Sequence, residues 1–533
     1  MKNIYKILAA ILVLSACQKE QEKFEEPYPS GKNPLGIVMD NSQEPNPASG
    51  LPGTEVKVNA TGLTLYADQL VVRFNGEQAE INEITAEGFT VKVPDYASTG
   101  VISVSVGDAV VFGPNFSVTG RLNPDPTFRA VNGANRDVSR ALQLSDGKYI
   151  FVGDFTNYDN KGIVKPINRI VRTFSDGSYD ASLRSGRGAN GYLMDINMVN
   201  DKLFISGVFN GYDQRTENIS NLAMLHTNGS IDTIGIKTFR RPDQTDTTKY
   251  FPRFNGGTDG SISRIYPHQG KLLITGNFRY YLSRQYDKPN RYETRDTVIV
   301  DSTEFRHVAR LNLDGTLDKT FRFNEATNQG FSGGNGNVST YMHNEGPNKD
   351  KLVVFGSFTR FDDQAAGYIV RLKENGTIDE SFKSGTGANK QIFSLTFNPV
   401  TRKYLITGIF TSYDGQPAVG MALLNEDGSL DPSFTARPLD VGTFGLAQQL
   451  SDGLIVVDGS FQKYDNITRN GFMVLNPDGS LAVGYNATGV FTGGLSNIIE
   501  TKSEDNKRAL LLIGSFYRFN NQPVNSITRL VIN

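Results

Sequence analysis

The chain has 533 residues, with 54 basic and 56 acidic side chains and a formal net charge of −2. That balance argues against nucleic acid as a partner, because phosphate binding needs a basic excess or a clear basic face. Abundant glycine (54), Tyr (22) and Phe (33), with no Trp, indicate an all-β chain rich in turns, long enough for two or three domains.

Residues 1–17 read as a signal peptide. Lys2 and Lys6 precede the apolar run ILAAILVLSA, which is too short to span a bilayer as a stable helix. The run ends in LSAC at Cys17, the only cysteine in the chain, so no internal disulfide is available. The competing reading is an ordinary secretory signal with a chance cysteine. The arrangement resembles the bacterial lipobox, which implies that the signal is removed and Cys17 lipidated. Such lipid chains hold a protein on a membrane without a transmembrane helix.

Residues 18–34, QKEQEKFEEPYPSGKNP, are charged, then Pro/Gly/Ser-containing, and show no apolar periodicity. They read as a solvated tether. Acidic residues just after the cysteine resemble the surface-export signal of Bacteroidetes lipoproteins, which implies an outer-membrane, lipid-anchored protein facing the cell exterior.

Across 35–119 the pattern changes to short alternating runs, TEVKVNATG, LVVRFNG, FTVKVPD and GVISVSVGD, split by turn residues. These predict half-buried strands of a β-sandwich. The series, beginning SGLPGTEVKVNATG, resembles the IPT/TIG immunoglobulin-like family, which implies an Ig-like domain serving as a spacer or stalk.

Residues 120–533 are built on a repeat, the feature that decides a chain of this kind. GDFTNYD, GVFNGYD, GNFRYYL, GSFTRFD, GIFTSYD, GSFQKYD and GSFYRFN start at Gly153, Gly207, Gly276, Gly356, Gly408, Gly459 and Gly514. Each follows a run such as YIFV or LLIT that is apolar throughout, as a strand buried on both faces reads. A second signature follows in register: FSDGSYD, HTNGSID, LNLDGTLDKTF, LKENGTIDESF, LNEDGSLDPSF and LNPDGSL. Asp-Gly or Asn-Gly between two short strands predicts a hairpin, both residues tolerating positive φ. About four strands per unit and seven units predict a seven-bladed β-propeller. The domain begins at RLNPDPTFRA and ends at SITRLVIN, two strands that a hairpin joins elsewhere. Pairing of the chain ends would close the ring and leave no free edge. The units resemble the delta-60 repeat propellers over about 121–533, a resemblance that specifies fold rather than function.

The repeated aromatic pairs, Phe410/Tyr413 among them, are read as blade packing, because what every blade repeats is what every blade needs. The acids that follow (Asp159, Asp213, Asp362, Asp414, Asp465) are read as caps of their own turns. The four histidines fall at different repeat positions, no His/Cys spacing suits zinc, and no acids cluster as a calcium loop. No nucleophile-elbow, P-loop or dinucleotide fingerprint appears. No cofactor, metal or catalytic residue is predicted.

Candidate binding residues come from what the repeats do not share. The signature glycines lie 54, 69, 80, 52, 51 and 55 residues apart, by difference of their positions. The two excesses are residues 234–260, with Arg240, Arg241, Tyr250, Phe251 and Phe254, and residues 279–307, with Tyr280, Tyr281, Arg284, Tyr286, Arg291, Tyr292 and Arg295. One insertion joins two blades and the other joins the second and third strands of a blade, so both should emerge side by side on one face. Long loops on a rigid scaffold carry binding surfaces, and Tyr and Arg are favoured at hot spots. The competing reading is a hairpin packed over the blade edge.

A lipid-anchored stalk plus propeller resembles the accessory surface lipoproteins of Bacteroidetes nutrient-uptake systems with SusC/SusD-like partners. The resemblance implies a non-catalytic protein that binds an oligosaccharide or peptide or docks on the importer. A purely structural subunit and a propeller-type glycosidase or lyase are the alternatives.

Overall fold

The strand Glu55–Thr61 buries every second side chain, with Val56, Val58 and Ala60 inward and charged or polar neighbours outward. That is how a strand with one wet face is built. The computed structural model, which describes residues 35–238, 247–288 and 297–533, pairs it into a four-stranded sheet with Val38–Met39, Gly88–Lys92 and Glu80–Ile84. A five-stranded sheet runs Ser49–Gly50, Ala109–Val118, Gly100–Val106, Val71–Phe74, Glu77–Gln78. The two sheets share one core, in which Val58 and Phe89 of the first meet Val72, Phe74 and Phe116 of the second. Phe74 and Phe116 stand edge to face, ring centroids 5.2 Å apart. No helix among the described residues is long and apolar enough to cross a membrane.

Beyond residue 120 the chain forms seven antiparallel sheets of one plan. Their first strands are Val138–Gln143, Tyr192–Val199, Ser261–His268, Val338–Met342, Ile392–Asn398, Phe444–Gln449 and Thr492–Lys502, and the repeats are numbered one to seven by them. Each first strand contacts the next unit's first strand, and the seventh unit returns to Val138–Gln143, so the contacts form a closed cycle. The second strands are buried on both faces, as in Tyr149–Gly153, which accounts for their unbroken apolar runs.

The chain ends pair: Leu122, Asn123 and Pro124 oppose Ile532, Val531 and Leu530 in an antiparallel ladder. The terminal strand of unit seven thus comes from the start of the domain. Arg529 and Asp125, 404 residues apart, form a buried ion pair across this seam. The same pair recurs inside single units as Arg172–Asp180 at 2.8 Å, Arg310–Asp318 at 2.6 Å and Arg371–Asp379 at 2.8 Å. The seam therefore reproduces the repeat's own contact.

Two local expectations are revised. The fourth strand of units one to six shrinks to a single bridge, such as Thr173 with Tyr179 or Leu424 with Leu430. In units one, three, four and five the next residue ends it: Asp180 accepts Ser182 N–H at 2.9 Å, and Asp318, Asp379 and Asp431 do the same at Thr320, Ser381 and Ser433. An Asx turn bends the chain there. In the Asp-Gly turns only glycine takes positive φ, for example +81° at Gly177. Asp176 instead caps the turn, accepting Ser178 N–H at 2.9 Å.

The sandwich rests on the loops of units six and seven. Thr99 N–H donates to Ala487 O at 2.9 Å, Thr468 N–H to a Glu77 carboxylate oxygen at 2.8 Å, and Arg469 to Tyr96 O at 3.0 Å. Ala487 itself belongs to the sandwich core.

Candidate functional site

The repeated residues prove to be framework. Both members of every aromatic pair are buried, from Phe155 and Tyr158 to Phe516 and Phe519. The tyrosine hydroxyl joins the two signatures. Tyr158 donates to Gly177 O at 2.6 Å, Tyr212 to Gly229 O at 2.7 Å and Tyr413 to Gly428 O at 2.9 Å, so it satisfies a turn carbonyl that burial would leave without water. Unit four has Phe361, and Arg322 takes over by donating to Gly376 O at 2.7 Å. Unit seven has Phe519, and its terminal strand arrives from the other chain end with no Asp-Gly turn to satisfy. The signature glycine is needed because a Cβ there would collide with a carbonyl at or next to the start of the unit's first strand, Asp137 O for Gly153, Tyr192 O for Gly207 and Gln391 O for Gly408.

The repeated acids do not cap their own turns. All five sit at positive φ, for example +45° at Asp159 and Asp414, and the carboxylates of Asp159, Asp213, Asp362 and Asp414 reach the segment leading into their unit's first strand. Asp213 accepts Arg187 N–H at 2.9 Å and Asp414 accepts Thr386 N–H at 3.0 Å. The left-handed turn aims the carboxylate away from its own loop.

The two insertions are hairpins. Thr233–Thr238 pairs with Thr247–Pro252, and Tyr280–Gln285 pairs with Ile299–Glu304. Gly256–Thr258, in the tail of the first insertion, adds a third strand to the second hairpin, Gly256 opposite Ser283 and Thr258 opposite Tyr281. Phe251 and Tyr286 stack with centroids 4.5 Å apart, their ring planes 15° from parallel. The insertions therefore lie together as one ledge on units two and three.

Most of the predicted binding residues hold that ledge from inside. Phe251, Phe254, Tyr281, Arg284 and Tyr286 are buried. Phe254 packs edge-on to Phe204, centroids 5.5 Å apart. Tyr281 is the unit's framework tyrosine, its hydroxyl on Gly315 O, and Arg284 donates to Ser220 Oγ at 2.6 Å. These five are placed as packing: Phe251 and Tyr286 pair with each other, Phe254 packs on the second strand of unit two, and Tyr281 and Arg284 are held by hydrogen bonds to Gly315 and Ser220. Tyr250 faces solvent at 58 % exposure, its carbonyl held by Arg215 at 2.7 Å. Tyr280 is half-buried beneath Arg279, whose guanidinium lies 5.3 Å from the ring centroid. Arg240, Arg241, Arg291, Tyr292 and Arg295, like Cys17, lie outside the described residues.

A second feature, which sequence reasoning missed, is the lining of the ring's centre. Six of the seven first strands carry a register shift near their start. Just past it stand Arg140 in unit one, Asp195 in unit two and Arg264 in unit three. Arg140 Nε lies 3.4 Å from Asp195 Oδ1, and Asp195 Oδ2 accepts Ile265 N–H at 2.7 Å. Burial raises the Asp195 carboxyl, and burial with the neighbouring Arg264 charge lowers Arg140. In unit six, Asp458 is 2 % exposed and has no cationic partner among the described residues. It accepts Leu446 N–H at 2.6 Å and Leu495 N–H at 2.8 Å, and burial pushes its carboxyl up to about 7. The available signal was the Ser-Arg step shared by VSRA and ISRI at the same point of units one and three. Among the described residues no three His, Cys, Asp or Glu side chains converge as metal ligands.

Segments 144–183, 297–321, 350–382, 402–434 and 450–481 match the model of a family described as a domain of unknown function (DUF5122) beta-propeller. No curated protein matches the chain. Similar solved structures include an auxiliary nutrient binding protein from Bacteroides ovatus ATCC 8483, at 13 % identity, 93 % of this chain, 97 % of that one and a TM-score of 0.31. Another, from Bacteroides thetaiotaomicron VPI-5482, has 11 % identity, 92 % and 98 % coverage and a TM-score of 0.33. The Cps50 (Swd1) beta-propeller domain of Myceliophteria thermophila has 9 % identity, 77 % and 100 % coverage and a TM-score of 0.35. The chain is all-β, and the domain that holds the five matched segments is propeller-like.

Proposed function

We propose that the protein is an outer-membrane lipoprotein anchored at Cys17 and facing the cell exterior. An Ig-like IPT/TIG module serves as its stalk, and a seven-bladed, delta-60-type propeller carries a binding ledge. Its role is non-catalytic: it holds a glycan or peptide, or docks on a SusC/SusD-like nutrient importer. The observation that supports this reading is the ledge of units two and three. Two insertions are fastened to each other by the Phe251–Tyr286 stack and the Gly256–Thr258 ladder, while Tyr250 and Val300 stay exposed. A surface already ordered loses little conformational entropy on binding.

The test uses outer membranes carrying the full-length protein. Wild type should co-purify with a transporter, and Tyr250→Ala with Val300→Asp should break that association by tenfold or more without lowering the melting temperature. Cys17→Ala should move the protein out of the membrane fraction. Unchanged co-purification of the ledge variant would sink the docking reading. Product release from a glycan panel would favour a hydrolase or lyase instead.

A further inference from the structure

At the end of the ring where the first strands finish, away from the ledge, lies a cavity of about 590 Å³, within the range of small-molecule sites. Arg140, Arg264 and Lys349 line it, with Asp350 as the acid in the lining and Asp195 behind Arg140. Three cations thus face two carboxylates. Lys349 is exposed and, among the described residues, unpaired, and the less exposed cation without an acid is Arg264. Its guanidinium donates to Ser263 O at 3.1 Å and, among the described residues, meets no carboxylate within ion-pair distance. Its charge also weighs on Arg140. The other polar groups nearby are largely committed: Tyr266 donates to Thr340 O at 2.8 Å, and Asn197 donates to Ile265 O at 3.1 Å. Arg264, Thr340 and Leu395 also line a second cavity of about 440 Å³ toward the strand starts, so Arg264 stands at the constriction between the two spaces.

Two guanidiniums close enough to disfavour each other, with one carboxylate between them, form an electrostatic deficit that an anion would fill. A guanidinium presents a planar fork of donors matched to carboxylate and phosphate oxygens. We propose that this cavity binds a small polar molecule bearing an oxyanion, a carboxylate or a phosphate, with Arg264 as the principal donor and Arg140 as the second. The site is separate from the ledge and does not depend on it.

Calorimetry on the full-length protein at low salt, with D-glucuronate, inorganic phosphate and D-glucose as probes, tests this. One or both oxyanions should bind, glucose should not, and raising the salt should weaken binding. Glucuronate alone would identify a carboxylated sugar, and phosphate alone a phosphate ligand. Arg264→Gln should weaken binding at least tenfold. Arg264→Lys, which keeps charge but not the fork, should fall between. Without ligand, Arg264→Gln should melt at or above the wild-type temperature, since it removes surplus like charge. Absence of binding by both oxyanions, equal binding of glucose, or unchanged affinity in Arg264→Gln would overturn the site. A melting temperature several degrees below wild type for Arg264→Gln would make the arginine structural and overturn it as well.

Discussion

Units three and six show which parts of the repeat are obligatory. Unit three carries the longest insertion and a charged edge in which Lys271 and Arg310 meet Asp318 at 2.7 and 2.6 Å. Unit six has no insertion, and Leu454, Val474 and Ala482 occupy the places of the three charges. Yet both keep the signature glycine and the buried tyrosine on its turn carbonyl, Tyr281 on Gly315 and Tyr464 on Gly479. The close approach at glycine and the tyrosine clasp are therefore the framework. The ion triad and the loop length are free to vary. Unit three gives up one signature residue for its insertion: Leu282 stands where other units bend at Asp or Asn, and the chain runs on as the strand Tyr280–Gln285.

The largest effect should come from breaking the triad without replacing it. Asp318→Ala leaves Lys271 and Arg310 with no carboxylate at that edge, Arg310 keeping only neutral partners, Gln269 and Thr320 among them, and loss of one member of such a set costs about 3–5 kcal/mol. Copying unit six, with Lys271→Leu, Arg310→Val and Asp318→Ala together, should recover most of that loss. Denaturant unfolding of the single and triple variants reads both. If the triple variant is no more stable than the single one, the two units are not interchangeable in this respect and the comparison fails.

The same contrast shows what could be read from residues alone. The Gly-x-Phe and Asp-Gly signatures were legible because each solves a backbone problem that recurs in nearly every unit. The pairing of RLNPDPTFRA with SITRLVIN was legible because the seam needs the same Arg and Asp as a single unit. The ledge was located by the stretched spacing, but its inward-facing side chains were not. Tyr, Phe and Arg are equally at home in an interface and inside a hairpin pair, and only the fold shows that Phe251 and Tyr286 satisfy each other. Arg140, Asp195 and Arg264 stayed hidden because the register shift displaces them from simple alternation and only units one and three share a residue type there.

A second prediction concerns the position where unit three has Thr275 and unit six has Asp458. Thr275 bonds a neutral hydroxyl, Thr340 Oγ1, at 2.7 Å, whereas Asp458 brings a carboxyl into the core. Its folded pKa, about 7, is above its ordinary value of 3.8. The folded state therefore binds its proton more tightly than the unfolded chain does. The stability this contributes is fully present below about pH 3.8 and is lost as pH rises through about 7. At about 1.4 kcal/mol per pH unit, the change across that window is at most about 4 kcal/mol. Asp458→Asn should lack this component, so its stability curve from pH 4 to 8 should be flatter than that of wild type, with its advantage growing toward pH 8. Parallel curves would show that Asp458 is not protonated in the fold.

The smallest effect separates the two tyrosine clasps. Tyr281 donates to one carbonyl, Gly315 O. Tyr464 donates to Gly479 O at 2.5 Å and also accepts the Arg437 N–H at 2.8 Å. Removing either hydroxyl leaves a buried turn carbonyl unsatisfied, and a net hydrogen bond is worth about 0.5–1.5 kcal/mol. Tyr281→Phe should therefore cost about 1 kcal/mol, and Tyr464→Phe roughly twice that, because it also strands an amide. Unit four sets the control: Phe361 lacks the hydroxyl already, and Arg322 holds Gly376 O. Phe361→Tyr should thus gain nothing, since its hydroxyl would meet a carbonyl already occupied. Equal losses at Tyr281 and Tyr464 would mean that the Arg437 amide finds water once the hydroxyl is gone, and that the clasp acts through the turn carbonyl alone.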